Sequence, residues 1–215
     1  MTDVVDFTEV PHLQEMLSYL PIDPEDEEDI VNYVQNITSL IAVNYKYGQY
    51  QFAYFGVHLL YMTYIYCTAW KIGQIEPERY KDAIVFARSY NGREQDFKIE
   101  DADSIFVYSL MPEKDIAKLF KIIDLDNSQI SMVGDLVDTR NDMAHASGKF
   151  EILNEESYDA KVSNIISSMD FIHRCMVRLI RKWYGQVLIS FCKGEYEGYD
   201  NPKDFIIEQM IQTFK

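Results

Sequence analysis

Three residues near the end of one predicted helix carry side chains that could act on a phosphodiester. Arg140, Asn141 and His145 lie within six positions of one another in the stretch DLVDTRNDMAHASGKF. Histidine can transfer a proton near neutral pH, and the planar guanidinium of arginine binds phosphate oxygens through paired hydrogen bonds. Two interpretations are open. One is a catalytic site, and the other is an exposed helix end in which Arg140 pairs with Asp138 or Asp142.

The spacing of the three residues limits how one helix can present them. On an α-helix, the five positions from Arg140 to His145 correspond to a rise of about 7.5 Å and a rotation of about 140°. Arg140 and His145 therefore do not share a face, whereas Asn141 and His145, four apart, do. The long side chain of Arg140 can still bring its guanidinium toward the imidazole, especially if the helix unwinds at Ser147-Gly148. A second copy of the chain that completes the cleft would also remove the need for a shared face.

No other stretch carries a recognisable catalytic or metal-binding motif. The sequence contains no GxxxxGK[ST] phosphate loop and no GxGxxG, GxSxG or HExxH pattern. The remaining histidines are widely spaced and are interpreted as structural or incidental: His12, His58 and His173. The cysteines are also far apart and without a CxxC pair, which indicates reduced thiols and makes a zinc site improbable: Cys67, Cys175 and Cys192. The sequence thus indicates no metal and no cofactor.

The elements that must position the motif are predicted to be helices in a single domain of residues 1–215. Apolar residues at helical spacing, with capping residues and prolines at element starts, predict an all-α bundle. The first predicted helix begins near Pro24 with Asp23 as its cap, the second runs from Tyr50 to Gly73, and the next two begin at Pro77 and Pro112. A further helix is capped by Asp126, Asn127 or Ser128 and leads into the motif. The last two predicted helices run from Tyr158 to about Cys192 and over KDFIIEQMIQTF. The segment SIFVYSLM is ambiguous between a short strand and a helix. A polar stretch near 90–104 is expected to be an insertion or mobile loop.

One predicted helix is apolar enough to suggest a membrane span. The stretch FAYFGVHLLYMTYIYCTAWKI, residues 52–72, is about long enough to cross a bilayer. It also contains Gly56, His58, several tyrosines and two threonines, which indicate the central helix of a protein core. The N-terminus MTDVVDFTEVPHLQEML has no basic region typical of a signal peptide. A cytoplasmic protein without membrane contact is therefore expected.

The overall charge restricts the nucleic-acid contacts that the chain can make. A net charge of −15 argues against a broad grip on duplex DNA, which needs many lysine and arginine contacts to phosphate. A local basic stripe is predicted on one face of the long helix in FIHRCMVRLIRKWYG: Arg174, Arg178, Arg181 and Lys182. This stripe could follow an RNA strand, or it could be a solvated face with acidic partners.

The motif and its surroundings resemble the HEPN superfamily. VDTRNDMAHASG is similar to that family's signature of an arginine, a polar residue, a few further residues and a histidine. The crowded YQFAYFGVHLLYMTYIYCTAW resembles the core helix that precedes the motif in such proteins. The resemblance covers the helical core from about Pro24 to Cys192 and is specific at the motif.

The resemblance implies a fold, a reaction and partners. HEPN proteins have a core of four to five helices, here with additional helices, and they typically form homodimers in which two motifs face each other. Many are metal-independent endoribonucleases of toxin–antitoxin or anti-phage defence systems. By this resemblance Arg140 contacts the scissile phosphate, His145 transfers protons, and Asn141 orients the histidine or the phosphate. RNA is then the substrate, and an antitoxin or other defence-system protein is a partner. Ser147 stands where HEPN toxins silenced by adenylylation often have tyrosine, so silencing at that position is not expected.

Two other functions remain open from the sequence. Some HEPN domains are catalytically inactive scaffolds that dimerise and bind a protein partner, and the aromatic stretch KGEYEGYDNPKDF suits such a contact surface. The low isoelectric point, about 4.6, is also compatible with an acidic antitoxin-like protein or a DNA mimic. Only the charge favours that last interpretation.

Overall fold

The fold is described by a computed structural model for residues 9–22, 28–87, 104–144, 152–195 and 201–213. These parts of the chain form an all-α helical bundle, as the sequence predicts. The α-helices are α1 Leu13–Tyr19, α2 Glu28–Lys46, α3 Tyr50–Ile75, α4 Pro77–Ala87, α5 Glu113–Ile116, α6 Asn127–Ala144, α7 Glu155–Cys192 and α8 Pro202–Thr213, and two 3₁₀ helices cover Ile105–Leu110 and Ala117–Ile123.

Helix α3 is the centre of the core, and α2 and α7 pack against it. It is apolar nearly all round because neighbours surround it, which confirms the prediction of a central core helix. Two tyrosines of α3 bind α7 through buried hydrogen bonds. The hydroxyls of Tyr61 and Ser168 are 2.7 Å apart, and Tyr64 donates to the carbonyl oxygen of Met169 at 3.1 Å. Among the described helices, none has the length and apolar character that a bilayer crossing requires.

The contact between α2 and α3 depends on a glycine. A Cβ placed on Gly56 would lie 2.6 Å from Cγ1 of Ile41 and 2.7 Å from Cδ2 of Leu40. Both distances are shorter than van der Waals contact, so the absence of a side chain lets the two helices approach closely. The predicted cap of α2, Asp23, and its first-turn Pro24 lie outside the described residues.

The described chain between α4 and α6 is wound mostly as 3₁₀ helix, which resolves the ambiguity of SIFVYSLM and differs from the prediction only after Pro112. SIFVYSLM forms a 3₁₀ helix rather than a strand, and the Ser104 hydroxyl accepts a hydrogen bond from the backbone N–H of Phe106 at its start. The stretch after Pro112 makes one α-helical turn and then continues as a 3₁₀ helix, ending at Asp124 with a positive φ of 65°. Of the predicted insertion near 90–104, only Ser104 belongs to the described residues.

Helix α6, which carries the motif, has a well-defined start. The Asp126 side chain accepts a hydrogen bond from the backbone N–H of Gln129 at 2.8 Å, and the backbone N–H of Asp126 donates to Oε1 of Gln129 at 3.0 Å. This reciprocal pair satisfies two backbone donors at the helix start. Asp126 is therefore the cap among the three predicted candidates. Helix α7 begins similarly, with Asn154 and Ser157 forming a capping box.

Candidate functional site

Helix α6 places Arg140 and Asn141 near the C-terminal end of its described part. Leu136, Val137 and Met143 are buried and fix the inner face of the helix, whereas Arg140 and Asn141 are half-buried. The described part of the helix ends at Ala144. His145 and the predicted loosening at Ser147-Gly148 lie outside the described residues.

Arg140 pairs with a carboxylate of another helix. Its Nη2 donates to Oε2 of Glu113, the first residue of α5. The sequence suggested Asp138 or Asp142 as the partner of Arg140. The pairing with Asp138 is wrong, because Asp138 instead binds Nζ of Lys114 at 2.5 Å. Two neighbouring ion pairs therefore join α5 to α6.

Glu113 also contacts a buried histidine of the core. Nε2 of His58, on α3, lies 3.4 Å from the same Oε2 that binds Arg140. His58 is only 1% exposed, while the side chains of Glu113 and Arg140 are 23% and 26% exposed. We call His58, Glu113 and Arg140 the polar cluster. It runs from the interior to the end of the motif helix.

The electrostatics of the polar cluster favour an ionised carboxylate. Burial alone would raise the pKa of Glu113, but the hydrogen bonds and charges of His58 and Arg140 outweigh it and hold that pKa below its ordinary value. Tyr66 lies close enough to sense these charges. Burial is the main cause that raises the pKa of Tyr66 to about 12, and the negative charge of Glu113 and the neighbouring Tyr33 raise it further. The positive charge of Arg140 lowers it by less.

Two nitrogens of the polar cluster are not used in hydrogen bonds with other described residues. Nε of Arg140 and Nδ1 of His58 are both buried without a partner there. A buried donor without a partner costs free energy, so such atoms are uncommon in native structures. The polar cluster is thus only partly satisfied by the described residues, and its two unused nitrogens lie at the candidate site and in the core beneath it.

Sequence reasoning did not identify Glu113 and left His58 as structural. A signal was available for the histidine: a single imidazole on a helix that is otherwise buried and apolar needs a polar partner. The identity of that partner could not be read from the chain, because Glu113 is 55 positions away and pairs with His58 only in the folded bundle.

The predicted basic stripe lies on the exposed side of α7, and half of it is engaged with acids. Arg174 pairs with Asp170 one turn earlier, and Nζ of Lys182 lies 3.5 Å from Oε1 of Glu76. Arg178 donates to Sγ of Cys175 at 2.9 Å. Arg181 is exposed. The structure therefore brings the four cations to one solvated face, with acidic partners for two of them.

The cysteines and acidic residues form no obvious alternative centre in the part of the chain that is described. Cys67 and Cys175 are buried, Cys192 is exposed, and none of the three is joined in a disulfide. Within the described ranges, no group of three or more histidine, cysteine or acidic side chains is arranged to hold a metal ion.

Comparisons of the chain with protein-family models, curated proteins and solved structures give no significant match. The interpretation of the site therefore depends on its residues and their contacts.

Proposed function

We propose that this chain is a metal-independent HEPN-type endoribonuclease that acts as a cytoplasmic homodimer in a toxin–antitoxin or anti-phage defence system. The supporting observation is that, in an all-α bundle, Arg140 and Asn141 lie near the end of the described part of α6, five and four positions before His145 in the chain. Arg140 keeps 26% of its side chain exposed, so it can meet a ligand at the surface.

The proposed reaction uses the nucleophile that RNA itself contains. The 2′-hydroxyl loses its proton and attacks the adjacent phosphorus, the new O2′–P bond forms, and the P–O5′ bond breaks as the 5′ oxygen receives a proton. His145 transfers these protons, and Arg140 stabilises the negative charge on the phosphate oxygens. Asn141, four positions before His145, orients the imidazole or the phosphate. The products are a 2′,3′-cyclic phosphate and a 5′-hydroxyl.

A homodimer can bring together an arginine and a histidine that lie on different faces of the motif helix. Arg140 and His145 point about 140° apart if the helix stays regular between them. Two copies of the motif that face each other can each contribute one of the groups to a shared cleft. Both copies of the cleft are then equivalent by symmetry.

The proposal is tested by RNA cleavage in the presence of EDTA. The purified dimer is incubated with a short fluorescently labelled single-stranded RNA, and wild type is compared with His145→Ala, Arg140→Ala and a control, His173→Ala. His173 is exposed on α7 and packs edge-on against Tyr19. We expect cleavage that resists EDTA, survives His173→Ala and is lost in His145→Ala and Arg140→Ala. Equal cleavage by wild type and His145→Ala would show that the activity is not that of this site.

We propose the exposed cations of α7 as the path of the RNA strand. Arg178 and Arg181 carry the proposal, because Arg174 and Lys182 already have acidic partners. Arg178→Glu should weaken RNA binding and reduce its dependence on salt, whereas Arg174→Glu should do so less. Binding is measured by fluorescence anisotropy at several salt concentrations, and unchanged affinity in Arg178→Glu rules out the path.

A second candidate function is a non-catalytic scaffold that dimerises and binds a protein partner of the same defence system. The observation that favours it is the ion pair of Arg140 with Glu113, which compensates the arginine charge inside the fold. A folded dimer, freed of any antitoxin, that leaves RNA intact would support the scaffold. In that case Arg140→Ala should lower thermal stability without any effect on RNA.

A further inference from the structure

One carboxylate connects the interior of the bundle with the candidate site. Oε2 of Glu113 accepts a hydrogen bond from Nη2 of Arg140 and lies 3.4 Å from Nε2 of His58. His58 is 1% exposed on α3, which is held on several sides by other helices. Glu113 therefore links the side chain of Arg140 to the central helix of the core.

The contact with Glu113 restricts the orientation of the arginine head group. A guanidinium carries five N–H donors in one rigid plane, so a bond to one of them restricts the direction of all the others. Nε of Arg140 is buried, so the exposed quarter of the side chain does not include that atom. Any exposed donors are therefore on the outer nitrogens, and Glu113 holds one of those two.

We propose that Glu113 is a positioning residue, which holds the guanidinium of Arg140 in the orientation that meets the scissile phosphate, and that His58 holds Glu113. The proposal rests on the RNA-cleaving function proposed above. Glu113 contacts Arg140 rather than the substrate. Its effect is to order the arginine before RNA binds, so that the donors are already aimed at the oxygens on which charge develops.

A purely structural role of Glu113 makes a different prediction, and the chain provides the matched control. Lys114 follows Glu113, and its ion pair with Asp138 joins the same two helices at 2.5 Å. If Glu113 served only to join α5 to α6, breaking the Lys114–Asp138 pair should have a comparable effect. If Glu113 positions Arg140, only the loss of Glu113 should change the reaction.

The first experiment measures kcat and KM for cleavage of a short labelled single-stranded RNA in EDTA. We expect Glu113→Ala to lower kcat about tenfold, with KM changed by less than about twofold, because the interaction matters most where charge develops. Glu113→Gln keeps an oxygen that can accept from Arg140 and should restore most of kcat. Asp138→Asn should match wild type. If Glu113→Ala does not fold, Glu113→Gln is compared with His58→Leu, which removes the contact to the carboxylate.

The second experiment follows Arg140 itself and does not require activity. The Nε–H signal of Arg140 in a ¹⁵N–¹H spectrum is assigned by its loss in Arg140→Lys. Its exchange with water should be slow in wild type and in Asp138→Asn, and faster in Glu113→Ala and His58→Leu.

The outcomes separate this proposal from the proposed function. A higher kcat in Glu113→Ala would mean that Glu113 competes with phosphate for Arg140, and an equal loss in Asp138→Asn would mean a structural role; either overturns the proposal. If wild type does not cleave RNA, the proposed function fails. The Arg140 signal then still decides, because unchanged exchange in Glu113→Ala shows that the carboxylate does not hold the guanidinium.

Discussion

Three helical glycines should respond with opposite signs to the same substitution, alanine. Gly56 lies on α3 against α2, whereas Gly134 on α6 and Gly185 on α7 have no atom within 4 Å of the position that a Cβ would take. At Gly56 the added methyl would lie 2.6 Å from Cγ1 of Ile41 and 2.7 Å from Cδ2 of Leu40. Leu40 is 43% exposed, so the end of its side chain can move aside, but Ile41 is fully buried and cannot.

The expected magnitudes follow from two opposing contributions. In a helix interior, alanine is more favourable than glycine by about 1 kcal/mol. Overpacking of a filled core costs about 1–3 kcal/mol. Gly134→Ala and Gly185→Ala, where only the first contribution acts, should stabilise the protein by about 0.5–1 kcal/mol. In Gly56→Ala both the helix preference and the overpacking act, and the net result should be a decrease of about 1 kcal/mol in the free energy of unfolding.

The assay is thermal and urea unfolding followed by circular dichroism. For a protein of this size, 1 kcal/mol corresponds to a shift of about 2–4 °C in Tm. Gly134→Ala and Gly185→Ala should raise Tm, and Gly56→Ala should lower it. In an Ile41→Ala background, where the crowding atom is gone, Gly56→Ala should lose its penalty. A Gly56→Ala protein as stable as Gly134→Ala would refute the close approach of α2 and α3.

Three further predictions concern single contacts. Because its pKa is lowered in the fold, Glu113 stabilises the protein above the unfolded-state pKa of about 4.3 and loses this contribution as pH falls through its folded pKa. The urea midpoints of wild type and Glu113→Gln should therefore converge as the pH is lowered. A difference that stays constant with pH would contradict the pairing. Asn154→Ala removes the cap of α7 and should cost about 1 kcal/mol in the free energy of unfolding; no change in the urea midpoint would contradict the cap. Tyr61→Phe leaves the buried Ser168 hydroxyl without this partner and should cost about 1–2 kcal/mol, less when combined with Ser168→Ala; strict additivity in the cycle would argue against the bond.

The helices that could be predicted are those whose sequence carries its own period and caps. Helix α3 extends from Tyr50 to Ile75, close to the predicted end at Gly73, because its apolar composition demands burial whatever the neighbours are. Helix α7 begins at Glu155, three residues before the predicted Tyr158, since its cap at Asn154 lies in a polar stretch without hydrophobic period.

The segment from residue 105 to residue 123 was harder, because its winding is set by tertiary packing. Ile105 and Tyr108 are buried at a spacing of three, which suits a 3₁₀ helix as well as one turn of an α-helix. Their β-branched and aromatic character alone would also fit a strand. The buried contact between the hydroxyls of Tyr108 and Tyr80, 2.6 Å apart, involves another helix and is invisible to any local pattern.

In the candidate site, too, the helix could be predicted from the sequence, but the tertiary contact could not. The helix that carries Arg140 and Asn141 could be predicted from the sequence, whereas its predicted end at Ser147-Gly148 lies outside the described residues. The partner of Arg140 could not. The local candidates, Asp138 and Asp142, are two positions away, and residues two apart on a helix do not face each other. The actual partner, Glu113, is 27 positions away and reaches Arg140 only when α5 packs against α6.

The charge balance of the site bears on how RNA could be captured. An ionised Glu113 beside Arg140 weakens the attraction that the guanidinium exerts on a distant phosphate, because the two charges form a dipole. Arg140 then acts mainly at contact distance, where its outer N–H donors can bind an oxygen directly. If the chain binds RNA as proposed, its net charge of −15 means that long-range attraction of RNA must come from cations other than Arg140. Arg178 and Arg181 on α7 are the exposed arginines best suited to this, since Arg174 is paired with Asp170. Capture and chemistry should consequently be separable: substitutions at Arg178 should act on RNA affinity and its salt dependence, and substitutions at Glu113 on kcat.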